Sequence, residues 1–260
     1  MLEVTILSVL QGISEFLPIS SSGHLVIGKE LLGLGEVGIR LDVFLHAGTL
    51  LAVIAFYFST LRSLFLNMVS KGADRKEAWL YVSKIVLSAI PIGVVGILFN
   101  DNLTSLFSSP RMVGAALAFT SCVLISTRFF KNSNAPVTFK SALLMSLAQV
   151  VAIIPGVSRS GMTLSMAKAL GVENGKAAEF SFLMSIPPIA GAALYEIIMS
   201  MQVSSAATEV SWGLTLYGAA LAALTGYVSL ALLLKTLKSK VFWMFGVYTL
   251  AVSAAVLIFM

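Results

Sequence analysis

The 260-residue chain is 58% hydrophobic and only 11% charged, with a mean hydropathy of +0.95, far from the ~25% charged residues usual in soluble domains. Its formal charge of +5 does not mark a nucleic-acid binder, because the 17 Lys and Arg mostly gather in short loops between apolar runs, where topology and lipid headgroups account for them. A single cysteine, Cys122, set inside an apolar run, excludes a disulfide framework and a cysteine metal cluster.

The opening stretch MLEVTILSVLQGISEF has no basic leader and no small-residue cleavage site, and it carries Glu3 and Glu15, so it is not expected to be a signal peptide. Residues 2–10 are apolar but run into a polar break rich in Pro, Ser and Gly, which suits a re-entrant hairpin better than a full crossing. A bilayer core needs about 20 apolar residues per helix. Spans are expected at approximately residues 41–61, 85–100 and 111–128, with the polar turn NDNLTSLFSSP between the second and third. A second apolar segment, 142–154, again meets a polar break, and three more spans follow at 179–200, 212–234 and 241–259. The expected fold is an all-α polytopic membrane protein, one integral domain over residues 1–260, with about six transmembrane helices and two re-entrant helix hairpins. The basic loops are 62–84 (Arg62, Lys71, Arg75, Lys76, Lys84), 128–140 (Arg128, Lys131, Lys140) and 235–240; the positive-inside rule assigns all three to the cytoplasm.

Residues 10–33, LQGISEFLPISSSGHLVIGKELLG, align without gaps on residues 148–171, AQVVAIIPGVSRSGMTLSMAKALG. Gln11 meets Gln149, Ser20 meets Ser158, Ser22 meets Ser160, Gly23 meets Gly161, and Leu32 and Gly33 meet Leu170 and Gly171. The register continues, with Phe44 and Leu45 facing Phe182 and Leu183, and Tyr57 facing Tyr195. This predicts internal repeats of approximately 1–128 and 140–260. Roughly three crossings separate the hairpins, and an odd number reverses orientation, so the repeats are expected to be inverted in the membrane. Lys140 and Lys176 bracket the second hairpin on the cytoplasmic side, whereas the first enters from the opposite face. Both breaks then meet near the midplane.

Gln11 and Glu15 are four residues apart and share one helix face, so they are a candidate divalent-cation pair; a plain interhelical hydrogen-bonded pair is the alternative. Ser20, Ser21, Ser22 and Gly23 lead into a helix start, a natural phosphate cradle whose serines would otherwise serve as caps. His24 suits proton transfer or nucleophilic attack, against the alternative of a packing residue. In the second break, Arg159 stands at the position matching Ser21 and needs an anionic partner: a phosphate, Glu15 across the repeat axis, or each in turn. Ser158, Ser160, Gly161 and Thr163 surround it as candidate substrate-binding residues, with capping as their alternative. Asp42 and His46, one helical turn apart, are expected to line the cavity or sit at the headgroup boundary rather than perform chemistry.

Residues 11–24, QGISEFLPISSSGH, and 155–163, PGVSRSGMT, closely resemble the two signature motifs of the undecaprenyl-diphosphate phosphatases, the bacitracin-resistance proteins, and the likeness extends over essentially the whole chain. The resemblance implies hydrolysis of undecaprenyl diphosphate to the monophosphate, recycling the lipid carrier for peptidoglycan and other envelope polymers. It also implies a divalent cation, Mg2+ or Ca2+, and a multi-pass protein of the cell membrane whose cavity faces the periplasm or exterior. The family's motif residues map onto Gln11, Glu15, Ser20, Ser21, His24, Ser158, Arg159 and Thr163, with Gln11 at an acidic position that is Glu in many members. The partners expected are the lipid substrate and membrane lipids, no nucleic acid, with a homodimer left open.

The mechanism expected is phosphoryl transfer by positioning and charge neutralisation. Arg159, the cation and the loop amides hold the diphosphate; His24 attacks the terminal phosphorus or activates the attacking group; Glu15 orients and polarises it; and Ser21 is the alternative nucleophile. A lipid or solute transporter is the competing reading, because inverted repeats with broken helices are also a transporter plan.

Overall fold

Proline punctuation sets the first hairpin. Helix α1 (Leu2–Phe16) ends at Leu17, whose backbone is extended at φ −61° and ψ 144°, as the residue before Pro18 is forced to be. Fifteen residues reach only about 22 Å, short of a bilayer core of about 30 Å, so α1 stops inside the membrane thickness. The chain restarts at α2 (Ser21–Leu31), capped by Ser20. The computed structural model describes residues 1–34, 39–98, 109–130, 134–200, 210–239 and 241–260.

Helices α3 (Ile39–Phe56) and α4 (Phe58–Val69) replace the expected straight span 41–61 and meet at a 67° bend at Tyr57. No Pro or Gly stands there to announce it. Tyr57 instead packs between Phe56 and Phe182, ring centroids 5.2 and 6.5 Å away. Helix α5 (Ala73–Leu98) begins well before residue 85, because the charged run ADRKEAW consists largely of good helix formers; the basic loop there shrinks to a turn at Gly72, which has φ +92°. The polar turn expected at 100–110 falls mostly outside the described residues, as do Lys131 and Lys240.

Helix α6 (Pro110–Ser126) has Ser109 as its cap and Pro110 at its first position, and a 3-10 turn (Thr127–Phe129) follows it. The second hairpin is α7 (Phe139–Val151) and α8 (Arg159–Ala169), and α8 has the same 11-residue length as α2. The expected span 179–200 begins earlier and is split into α9 (Asn174–Leu183) and α10 (Ile186–Ser200), where Pro187 and Pro188 withhold two amide donors. Helices α11 (Trp212–Lys238) and α12 (Met244–Phe259) complete the chain.

Among the described residues four stretches are long and apolar enough to cross a membrane: Ala73–Gly96, Pro110–Phe129, Asn174–Tyr195 and Trp212–Lys238; the bent pair α3/α4 makes five. The sixth expected span is α12, at 16 residues a helix of about 24 Å. Large apolar side chains such as Leu51, Phe65, Val94, Leu224 and Phe259 stand exposed, as a lipid-facing surface requires. The chain is an all-α polytopic membrane protein.

Close backbone contact positions the first hairpin. A side chain on Gly12 would collide with Thr225 Oγ1 and the Ala222 carbonyl, so α1 lies directly on α11. Correspondingly, α7 packs on α5, and α6 packs on α12. Beneath the first break, Phe16 meets Phe182 edge to face, within a core that also holds Phe180, Leu124, Leu164 and Leu230.

Candidate active site

Two helix N-termini meet where the breaks touch. Ser20 Oγ caps α2 by accepting the Gly23 N–H at 3.3 Å, and Ser158 Oγ caps α8 by accepting the Gly161 N–H at 3.1 Å. A Cβ on Gly23 would lie 3.1 Å from Gly156 Cα, which brings the backbones of the two breaks together. Hydroxyls complete the join. Ser22 Oγ accepts the Gly156 N–H at 3.4 Å, and Ser160 donates at 3.2 Å to the Leu17 carbonyl, which also accepts the Ile19 N–H.

On this joint sits one polar cluster. Glu15 is 9% exposed; its Oε1 accepts from Arg159 Nη2 at 2.5 Å, and its Oε2 accepts from Ser21 Oγ at 2.6 Å and Gln11 Nε2 at 3.2 Å. The ion pair between repeats expected from sequence is present. Two atoms of the cluster are buried without a hydrogen-bond partner, Arg159 Nη1 and Gln11 Oε1. A buried donor and a buried acceptor left open in one place favour a ligand that carries both complements. With two positive helix ends converging beside Arg159, the donor side suits phosphate oxygens.

The remaining sequence candidates divide. Ser20 and Ser158 cap their own helices through Gly23 and Gly161, while Ser22, Ser160 and the close approach at Gly23 join the two breaks. Thr163, fully buried, turns away from the cluster: its hydroxyl lies 2.6 Å from Ser181 Oγ and donates to the Arg159 carbonyl at 3.0 Å. His24 does not join Glu15. Its Nδ1 lies 2.8 Å from the Ser20 carbonyl and its Nε2 lies 2.9 Å from the Tyr248 hydroxyl. Asp42 pairs with Lys29 at 2.5 Å, tying α3 to the end of α2. His46 Nδ1 lies 2.9 Å from the Asp42 carbonyl.

Two residues escaped the sequence reading. Thr120 Oγ1 donates to the Gly156 carbonyl at 3.0 Å and accepts the Ser158 N–H at 3.1 Å, clamping the second break to α6. A lone Thr in an apolar run gives no signal of this. Tyr248, in an apolar helix, gave equally little.

Among the described residues no group of three or more His, Cys, Asp or Glu side chains gathers as a metal site. The open Gln11 Oε1 beside the Glu15 carboxylate nevertheless fits the protein's share of a site that substrate phosphates complete, the usual habit of Mg2+.

Comparison with known proteins gives one answer. The family model described as bacitracin resistance protein BacA matches residues 4–255. The chain is 37% identical over 259 residues to an undecaprenyl-diphosphatase of Halothermothrix orenii, covering 98% of this chain and 96% of that one. Proteins of the same name from Desulfatibacillum aliphaticivorans (36%, covering 99% and 98%) and Methanosphaera stadtmanae (36%, covering 95% and 93%) are similarly alike.

Proposed function

The chain belongs to the bacitracin resistance protein BacA family, and we propose that it hydrolyses undecaprenyl diphosphate to undecaprenyl phosphate and inorganic phosphate, recycling the carrier lipid of envelope polymers. One observation carries the reading: the Ser21 hydroxyl, the Glu15 carboxylate and the Arg159 guanidinium form a chain of hydrogen bonds, with Arg159 Nη1 still open. A transporter would need the cation and the helix dipoles. It would not need a hydroxyl bonded to a carboxylate.

Glu15 pairs with the Arg159 guanidinium. An incoming diphosphate takes over Arg159 and the convergent N–H groups, releasing Glu15 to act as base toward Ser21. Ser21 Oγ attacks the terminal phosphorus, the bond to the bridging oxygen breaks, and undecaprenyl phosphate leaves with the electron pair while the Ser21 proton passes to Glu15. Water then attacks the phosphoserine, and the bond between phosphorus and Ser21 Oγ breaks to free inorganic phosphate. Glu15 returns a proton to Ser21, and the proton from water passes by way of His24, one helical turn from Ser21 on α2, to solvent. Ser21 is preferred to His24 as nucleophile because Glu15 bonds Ser21 while His24 faces Tyr248.

A divalent cation, when bound, would be held by Gln11 Oε1, Glu15 and the substrate, and would neutralise diphosphate charge. The prenyl units nearest the diphosphate would lie in an apolar groove of about 440 Å³ lined by Ile13, Leu17, Ile19, Met244, Phe245 and Tyr248. The cavity is proposed to open to the periplasm or exterior, opposite the basic loops.

The test is phosphate release by the purified protein from undecaprenyl diphosphate, with Mg2+, with Ca2+ and with chelator. Release that chelator stops supports both the reaction and the cation. No release under any of these conditions refutes the reaction.

A further inference from the structure

Helix α6 seats the second break along one face. Val113, Ala116 and Thr120 recur there at helical spacing, and a Cβ on Gly156 would meet the Val113 carbonyl oxygen and Ala116 Cβ at 2.7 Å. Thr120 makes the polar contact. It is 1% exposed, and its one hydroxyl is used twice: the proton goes to the Gly156 carbonyl at 3.0 Å, and the oxygen accepts the Ser158 N–H at 3.1 Å. Both peptide groups lie just before Arg159. The neighbouring amides are committed as well. Gly156 N–H goes to Ser22 Oγ, Val157 N–H to the Ile154 carbonyl, Gly161 N–H to Ser158 Oγ and Met162 N–H to the Ser158 carbonyl. From Gly156 to Met162 only the Arg159 and Ser160 N–H groups, the first two of α8, lack an acceptor among the described residues. They open at the positive end of α8, where Arg159 is rooted. The first break has no such clamp. Among the described residues no side chain bonds the matching Pro18 carbonyl or Ser20 N–H, and at the offset that superposes the repeats Thr120 falls on Ile258, which is exposed.

We propose that Thr120 is a positioning residue for the diphosphate: through the Gly156 and Ser158 peptides it holds Arg159 and the two open amides in the arrangement that receives anionic oxygen. It acts through the second break and touches no substrate. A misplacement of about 1 Å in such a frame is enough to weaken every contact it presents. The proposal rests on the reading that this site takes a prenyl diphosphate, and it concerns binding, which is measured without turnover.

The probe is a farnesyl methylenediphosphonate, which keeps the charge of a prenyl diphosphate and has no P–O–P bond to cleave. Its Kd is measured by calorimetry in lipid nanodiscs, beside kcat and KM for phosphate release from undecaprenyl diphosphate. Thr120→Val keeps the shape and removes both bonds. It should raise Kd and KM about tenfold with kcat within about threefold, because Ser21, Glu15 and His24 stand on the other break. Thr120→Ser returns the hydroxyl and should bring Kd back to within about twofold of wild type. Ser121→Ala removes a neighbouring bond from α6, that of Ser121 Oγ to the Gly246 carbonyl at 2.7 Å, and controls for general loosening. Its Kd should stay within about twofold of wild type. An unchanged Kd in Thr120→Val overturns the proposal, as does an equal rise in Ser121→Ala or a failure of Thr120→Ser to rescue. If Thr120→Val is not recovered folded, Thr120→Cys takes its place: the weak, longer bonds of its thiol should raise Kd about threefold, and a wild-type Kd overturns the proposal. Wild type that binds the diphosphonate but releases no phosphate sinks the reaction reading alone. Wild type that does not bind it sinks both.

Discussion

The two breaks share a cap and divide the chemistry. Ser20 and Ser158 occupy matching positions and each caps the next helix through a glycine N–H. Around that common frame the residues differ. Glu15 is matched by Ile153, His24 by Met162 and Ser21 by Arg159. A pair that kept its identity also shows the split: Gln11 Nε2 donates to Glu15, whereas Nε2 of buried Gln149 lacks a partner, with no carboxylate one turn on to accept it. A repeated scaffold therefore holds two helix starts in register while each copy loses or gains the groups its own task needs. In the proposed reaction the first break takes and gives protons, and the second holds anionic oxygen.

That division can be broken first at the paired position itself. Ser21→Ala should lower kcat on the order of 10^4-fold or more while KM for the lipid changes little, because the attacking group is gone and the cation is not. Arg159→Ala should lower kcat/KM on the order of 10^3-fold and raise KM, because the diphosphate loses its principal cation. Steady-state phosphate release in detergent micelles measures both. Equal effects on KM from the two variants would refute the division of labour. Arg159→Ala should still elute as a monodisperse peak on size exclusion, since Glu15 keeps Ser21 and Gln11 as donors.

The breaks also reach their caps by different backbones. In the first, Ser20 itself has φ +73°; in the second, Ser158 has an ordinary φ of −74° and Gly156 takes the left-handed turn at φ +95°. A Cβ on Gly156 would meet the Val113 carbonyl oxygen and Ala116 Cβ at 2.7 Å. Gly156→Ala should therefore destabilise the fold by roughly 1–3 kcal/mol, read as a lower melting temperature in detergent. Ser20→Gly relieves the backbone but removes the cap, and its two small terms should leave stability within about 1 kcal/mol. A melting temperature equal to wild type for Gly156→Ala would show that the second break can be rebuilt.

The pairing of the breaks was legible in sequence because it rests on residue types that repeat: the serine before the helix and the glycine three residues on. So was the Arg159–Glu15 ion pair, because an isolated arginine and an isolated carboxylate in apolar surroundings have few alternatives. The bend at Tyr57 was not. At the bend Tyr57 packs against Phe182 from a distant part of the chain, a tertiary contact that no local Pro or Gly announces. The orientation of His24 was hidden for the same reason: its partner, Tyr248, lies 224 residues away in an otherwise apolar helix. Thr163 illustrates the opposite failure. Its place in a polar motif suggested contact with substrate, yet its hydroxyl is spent on Ser181 and on its own helix.

The two histidines make the smallest and sharpest contrast. Both are anchored alike, each Nδ1 within hydrogen-bond distance of the carbonyl one turn earlier, Ser20 for His24 and Asp42 for His46. They differ in what they serve. His24 shares a helix face with Ser21, whereas the hydrogen bonds to the Glu15 carboxylate come from Gln11, Ser21 and Arg159 and not from His46. His24→Ala should therefore cost on the order of 10^2- to 10^4-fold in kcat as a proton acceptor is lost. His46→Ala should stay within about threefold of wild type, less than 1 kcal/mol of barrier. Measured side by side in one phosphate-release assay, the reverse order would move the proton-accepting role from α2 to α3, and with it half of the chemistry now assigned to the first break.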